Sequence, residues 1–323
     1  MLNLNAKLKY LKDNKRVIPR VIKNYLLILI KRKKRLRTVE LVITYDCQCD
    51  CEHCSCANLR NKKRRILTIE QIKKIIDESI KEGTIHFILT GGEPLLFNGL
   101  YAVIDYIKFK GGIVSLATNG LELNDINIKR LKSSKIDLVE VSIDFPDMAA
   151  HNKFRNIKDG GTCLWEKMNK ARKVGLNIGI SILCQKKILK KELIIRLIKK
   201  AKQNKLLLSI CYPSAIGRWY GVNSKLLSKK EFDYINWIKR HFKISSCEDN
   251  CYLKKGCSAG VEKIAITPYG DVMPCPLISL KFGNIKKEDL PSILKKMRKT
   301  KYFNEIQPRC LPASNREFLK LLK

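Results

Sequence analysis

From residue 39 onward, consecutive apolar runs alternate with lysine-rich stretches in which apolar positions recur at helical spacing. The runs Val39–Tyr45, Ile85–Leu89, Ile113–Ala117, Leu138–Ile143, Leu176–Leu183 and Leu206–Cys211 are short and apolar on both faces, which predicts strands of a buried parallel sheet. The stretches between them have helix length. Gly83, Gly111, Gly175 and Asn204 each stand just before a strand, where a left-handed residue closes the preceding helix. Thr68 with Gln71, and Ser228 with Glu231, have the capping-box spacing that satisfies the first amides of a helix. Six β/α units in a row predict a curved parallel sheet covered outside by helices, either doubly wound or closed toward a barrel.

Length adds that 323 residues with 45% hydrophobic content suffice for one large α/β domain and a small appendage. The formal charge of +35 is extreme. Residues 1–37 supply much of it, with 13 Lys or Arg against the single Asp13. Within them the apolar run Val21–Ile30 is followed by Lys31-Arg32-Lys33-Lys34-Arg35. That run is too short to span a bilayer, which takes roughly 20 residues. A basic amphipathic helix suits an anionic membrane, nucleic acid, or the wall of its own domain, and the last is expected here. No aromatic-rich basic strip offers a base-stacking platform.

The chemistry concentrates after the first strand, where residues 47–56 hold five cysteines. The spacing C-x3-C-x2-C is met only by Cys47, Cys51 and Cys54, because starting from Cys49 or Cys51 lands on His53 or Ser55. Thiolates suit iron–sulfur clusters and zinc, and three ligands on a four-iron cluster leave one iron open for a cofactor or substrate. A zinc site using a C-x2-C pair with His53, Cys49 or Cys56 is the alternative. With no signal peptide legible, crowded cysteines point to a reducing, cytoplasmic compartment rather than to disulfides.

A C-x3-C-x2-C loop directly after an apolar strand resembles the signature of the radical SAM superfamily. The resemblance implies an open (β/α)6 partial TIM barrel over residues 38–225, with chemistry at the C-terminal strand ends. It implies a catalytic [4Fe–4S] cluster on Cys47, Cys51 and Cys54, and S-adenosylmethionine on the open iron. Thr90-Gly91-Gly92-Glu93-Pro94 follows the second strand and resembles the family's contact to the methionyl amine, with Glu93 and free carbonyls receiving it. Asn119 after the third strand and Ser142 and Asp144 after the fourth stand where cofactor contacts are typical. His151-Asn152-Lys153-Phe154-Arg155 resembles the H-x-x-x-R stretch of the peptide-modifying branch, which implies that Ser142 and Arg155 hold the methionyl carboxylate. His53 is expected to pack beside the cluster. Cys184 and Cys211 end strands and are candidate hydrogen-atom donors, against the plainer reading as small buried hydrophobes.

A second cysteine field comprises Cys247, Cys251, Cys257, Cys275 and Cys310. Cys257-x12-Gly270-x4-Cys275 resembles the opening of the SPASM and twitch extensions of the same superfamily, and Thr267–Asp271 predicts a hairpin turn within it. Cys251, Cys257, Cys275 and Cys310 are the implied ligands of one auxiliary [4Fe–4S] cluster, with Cys247 left over and tetrahedral zinc as the alternative. The expected organisation is a basic helical segment 1–37, the barrel 38–225, a linking helix in 226–246 and a cysteine-rich domain 247–323. The activity implied is reductive cleavage of S-adenosylmethionine to a 5′-deoxyadenosyl radical that abstracts a hydrogen atom. A peptide, protein or cofactor precursor is the expected substrate, and flavodoxin or ferredoxin the electron donor. An RNA-directed enzyme and a non-catalytic zinc or iron–sulfur module are the alternatives.

Overall fold

The computed structural model describes residues 15–61, 63–158, 163–249 and 251–321. Residues 1–14 of the basic segment lie outside the described residues. Six strands, β1 (Thr38–Thr44), β2 (His86–Gly91), β3 (Ile113–Thr118), β4 (Leu138–Ser142), β5 (Ile178–Leu183) and β6 (Leu207–Cys211), pair in parallel and in sequence order. They form the expected partial barrel, each strand lying within two residues of its predicted bounds. The sheet does not stop there. The two-residue β7 (Ser245–Ser246) adds in parallel to β6. At the other edge β8 (Lys263–Ile266) pairs in parallel with β1 and is followed antiparallel by β9 (Asp271–Met273) and β10 (Gly283–Asn284). The cysteine-rich extension is therefore built onto the edge of the barrel sheet, where β1 would otherwise leave a row of unpaired amides and carbonyls.

The punctuation reads mostly as expected. Both capping boxes form, Thr68 with Gln71 at α2 (Ile69–Lys81) and Ser228 with Glu231 at α8 (Lys229–Phe242). Gly83, Gly111 and Gly175 adopt φ of +106°, +69° and +86°. Asn204 is the exception: it keeps φ −83° and Lys205 takes the left-handed place at +55°. Its side chain closes the helix instead, with Nδ2 donating to Lys200 O at 2.8 Å and Oδ1 accepting from Asn169 at 2.7 Å.

Helix α1 (Ile18–Leu29) lies across the N-terminal ends of the strands. Val17 packs on Ile85 and Ile113, with Val21 alongside. Asn24 is buried and donates to Gly83 O at 2.7 Å and to the Tyr252 hydroxyl at 2.6 Å. Arg20 donates to Thr84 O and Lys110 O. One face of this helix thus belongs to the barrel wall, and its buried polar groups are satisfied by loop carbonyls.

One continuous apolar cluster fills the layer between sheet and helices. The other face of the strands is not apolar, contrary to the sequence reading. Side chains alternate along a strand, and the inward set includes Glu40, His86, Ser115, Glu140, Ser142, Ser181, Ser209 and Lys263. Glu40 and Lys263 form an ion pair, His86 Nε2 meets Ser115 Oγ at 2.8 Å, and Ser181 Oγ meets Cys211 Sγ at 3.4 Å. The lumen is polar and opens toward the C-terminal strand ends.

Candidate active site

The loop after β1 is gripped from three sides. On the β2 side, Gly92 N donates to Thr44 O at 2.8 Å and Glu93 N to Asp46 O at 2.7 Å. A Cβ on Gly91 would stand 2.2 Å from Thr44 O, and one on Gly92 2.3 Å from Asp46 O. The glycine pair therefore lets β2 press against the lead-in to the cysteines. From α5 (Met148–Arg155), Phe154 O accepts from Glu52 N at 3.0 Å. On the β6 side, Gly217 has φ +55° and a Cβ there would stand 2.1 Å from Cys54 O. Arg218 N donates to that same carbonyl at 3.0 Å, while the Arg218 side chain pairs with Asp50. Lys225 and Lys187 both hold Glu52, at 2.7 and 3.3 Å. Sequence reasoning missed this clamp; its signal was the Gly217-Arg218-Trp219 turn at a strand's C-terminal end.

Within the loop Cys49 N donates to Cys47 Sγ at 3.4 Å, and its single thiol proton is within reach of both Cys47 and Cys51, which pulls Cys47 down to about 6 and lowers Cys51 against the cost of burial. Arg155 reinforces both shifts by its charge. Cys54 is raised by burial. Cys56 turns away: burial pushes it up to about 12 and its Sγ points to Gly91 O at 3.6 Å. No three His, Cys, Asp or Glu side chains among the described residues converge on a point the size of one ion. An iron–sulfur cubane is wider than an ion and takes one thiolate per iron, so three separated thiols on one well-held loop fit it.

Around the loop, Asp144 and Arg155 were read as separate contacts, and the structure joins them. Arg155 Nε donates to Asp144 Oδ2 at 2.6 Å, and both residues are buried. Burial opposes ionisation of Asp144, but the charge of the Arg155 guanidinium overrides it and its pKa stays low. His151 Nδ1 accepts from Asp144 N, and burial brings His151 down to about 4, so the ring is neutral. His53 stacks on Phe154 with centroids 4.7 Å apart and faces Trp219 at 5.8 Å. Burial lowers it to about 4, and its Nδ1 has no hydrogen-bond partner among the described residues. Asn119 Nδ2 lies 3.8 Å from Cys47 Sγ and 3.4 Å from Gln48 Oε1. Ser142 ends β4, half-buried, beside Ser181.

Two candidate residues are closed off from the lumen. Glu93 is fully enclosed, and its carboxylate accepts from Leu95 N at 3.0 Å, Thr118 Oγ1 at 2.7 Å and Asn119 N at 2.8 Å. Burial raises it to about 7 against these bonds. Glu93 is thus a strut between the ends of β2 and β3. Cys184 is also sealed: strand alternation turns it outward into the apolar layer, with 0% exposure. It faces away from the lumen, as the plainer reading of a small buried hydrophobe expects, whereas Cys211 opens into the lumen.

In the second field, Cys257 exchanges backbone hydrogen bonds with Gln307 at 2.8 and 3.1 Å, and Cys275 and Cys310 are buried. Cys247 follows β7, and its thiol accepts a hydrogen bond from Cys310, which also senses the charges of Cys257 and Cys275. Cys251 stands apart, with Sγ toward Gly256 O at 3.4 Å and with Glu262, Arg37 and Cys257 as its electrostatic neighbours. Cys247, Cys257, Cys275 and Cys310 are thus linked electrostatically, drawn from the turns after β7, before β8 and after β9 and from the C-terminal turn, while Cys251 adjoins only Cys257 among them.

A parallel β/α barrel carrying a three-thiol loop at its mouth, with a second thiol quartet on an edge extension, defines an enzyme of radical S-adenosylmethionine chemistry. The chain belongs to the radical SAM superfamily, whose family model matches residues 41–198, and it carries a SPASM iron–sulfur cluster-binding domain at residues 257–314. Its cofactors follow from that membership: a [4Fe–4S] cluster, S-adenosylmethionine and auxiliary iron–sulfur ligation. It is 23% identical over 296 residues to an AdoMet-dependent heme synthase of Nitratidesulfovibrio vulgaris, covering 82% of this chain and 79% of that one. A GTP 3′,8-cyclase of Staphylococcus epidermidis is 25% identical over 231 residues, 69% of this chain and 67% of the relative. The fold is similar to that of Streptococcus suis SuiB bound to its precursor peptide SuiA, with TM-score 0.67, 15% identity, and 87% and 69% of the two chains covered. AdoMet-bound anSMEcpe gives TM-score 0.60 at 18% identity, covering 84% and 82%.

Proposed function

We propose that this enzyme oxidises an acidic substrate, a peptide or a carboxylate-bearing cofactor precursor, by hydrogen-atom abstraction, with Cys47, Cys51 and Cys54 as ligands of its catalytic cluster. The observation that carries this reading is the three-thiol loop held at the mouth of a polar lumen, with the Arg155–Asp144 pair beside it. When bound, the cluster and S-adenosylmethionine together supply the one-electron bond cleavage from which hydrogen abstraction follows. The chain's part is to bind and orient. Arg155, oriented by Asp144, has terminal nitrogens to offer a carboxylate, and Ser142 stands on the adjacent strand end. In this reading the Gly92 carbonyl receives an amine, Asn119 meets a polar group of the cofactor, and the His53–Phe154–Trp219 stack excludes water behind the cysteines, whereas Gly91 O and Pro94 O already accept from Cys56 and Phe97. Cys211, in the lumen, is the remaining hydrogen-donor candidate. A reducing, cytoplasmic setting and a flavodoxin or ferredoxin donor suit this chemistry.

The acidic preference rests on a groove of about 390 Å³ at the mouth, between the segments after β5 and β6 and the C-terminal helical turn. Lys186, Arg316 and Lys320 line it together with Tyr220 and Asn223, and no carboxylate among the described residues does. The reading is tested by anaerobic reconstitution, then reduction in the presence of S-adenosylmethionine. The expected result is about eight irons per chain, as two four-iron clusters require, with release of 5′-deoxyadenosine. Acidic peptides should raise its yield over basic ones, and Lys186→Gln with Arg316→Gln should erase that difference. Zinc in place of iron, with no 5′-deoxyadenosine, would refute the proposal.

For the auxiliary cluster the ligands we propose are Cys247, Cys257, Cys275 and Cys310. Replacing Cys257 and Cys275 together should halve the iron and stop product formation while cofactor cleavage continues. Cys247→Ala should likewise lower iron and alter the electron paramagnetic resonance of the reduced protein, and Cys251→Ala should leave both unchanged. The reverse outcome for the two single variants would restore Cys251 to the quartet.

A further inference from the structure

We propose that the outward face of α1 seats this enzyme on an anionic membrane surface. Val17, Val21 and Asn24 commit one face of the helix to the barrel. Directly opposite, Ile22, Leu26, Leu29 and Ile30 fall within an arc of roughly 100° at 3.6 residues per turn. All four are more than half exposed, Leu29 at 61% and Ile30 at 73%. Neighbouring elements extend the patch. Phe109, 72% exposed, precedes Lys110, whose carbonyl accepts from Arg20. Leu253 is also exposed and follows Tyr252, whose ring packs edge-on against Tyr25 at 5.4 Å. Large aliphatic and aromatic side chains from three elements thus crowd one end of the molecule, more than scattered surface apolar residues account for.

The charge around this patch selects the occupant. Residues 15–37 hold ten Lys or Arg and no Asp or Glu. Lys15, Arg16, Lys23, Lys31, Arg32 and Lys33 are exposed and have no ion-pair partner among the described residues. Lys254 and Lys255 border the patch from the other side. A second copy would bring the same cations face to face, and nucleic acid would use the charge but leave the aliphatic row in water. Anionic headgroups above an acyl layer satisfy both. No helix among the described residues is long and apolar enough to cross a membrane, so the seat is in the interface plane. It lies at the N-terminal ends of the strands, which leaves the cysteine loop and the groove at the opposite end open.

The test sediments the full chain with vesicles of phosphatidylcholine alone and of phosphatidylcholine with phosphatidylglycerol in equal parts. Binding is expected to the mixed vesicles only, weakening as salt shortens the screening length. Leu26→Glu with Leu29→Glu should reduce partitioning at least about tenfold, because two buried aliphatic side chains are lost from the lipid phase. Their exposure in the folded chain means that the thermal midpoint should not move. Replacing Lys31, Arg32, Lys33 and Lys34 by Gln should weaken binding to a similar degree. Equal binding by the Leu variant overturns the proposal. So does sedimentation that nuclease abolishes, which assigns the surface to nucleic acid, or conversion of a dimer to a monomer by the Leu variant without vesicle binding by the parent, which assigns it to a second copy.

Discussion

Replacing Cys47, Cys51 or Cys54 with alanine is expected to abolish S-adenosylmethionine cleavage, a loss beyond the roughly 100-fold that outer-shell substitutions cost metal sites. Cys49→Ala and Cys56→Ala should keep iron and activity. Cys56 is the easier case, because its sulfur is buried toward Gly91 O. Cys49 is the sharper one. Its thiol is within hydrogen-bonding reach of both Cys47 and Cys51, so proximity alone makes it a rival ligand. The C-x3-C-x2-C spacing selects the other three, and the thiol of Cys49 must swing aside to admit a cluster. Iron per chain and 5′-deoxyadenosine yield decide between these. Loss of the cluster in Cys49→Ala would show that the register is wrong.

The second large effect is on stability. Arg155→Met should cost about 3–5 kcal/mol, since it leaves Asp144 as an uncompensated charge in the interior. Asp144 has 0% exposure, and its Oδ1 already lacks a partner among the described residues. The expected fall in melting temperature is on the order of 10 °C. Adding Asp144→Asn to the Met variant should recover most of it, because the double variant no longer buries a lone charge. Recovery of stability without recovery of cofactor cleavage would separate the two proposed duties of Arg155, pairing with Asp144 and holding a carboxylate. If Arg155→Met is as stable as the parent, Asp144 is protonated or solvated and the low pKa assigned to it is wrong.

The linear pattern carried the repetitive part of this fold. Six strands, both capping boxes and three left-handed glycines depend on neighbours within a few residues, and they stand where periodicity and spacing put them. Asn204 failed for a local reason of its own: its side chain already caps the helix through Lys200 O and Asn169, which freed Lys205 to turn the chain. The three-thiol register was equally legible, since C-x3-C-x2-C is a property of the sequence and has one solution here.

What the linear pattern could not hold is which strand faces which. Whether Cys184 or Cys211 looks into the lumen depends on the pleat of β5 and β6 relative to a curved sheet, and that parity is set only when the barrel closes. The polar lumen was hidden in the same way: Glu40, Glu140 and Lys263 come from three distant strands and become neighbours through sheet pairing. The placing of Cys247 beside Cys310 depends on a two-residue strand, β7, whose pairing with β6 no composition signals. The spacing of residues alone thus determined the β/α repeat and the register of the three thiols. Tertiary packing decided how that loop is clamped, which carboxylate becomes a strut and which becomes an arginine's partner, and which face of the basic helix is left outside, because each of these depends on contacts between segments far apart in the chain.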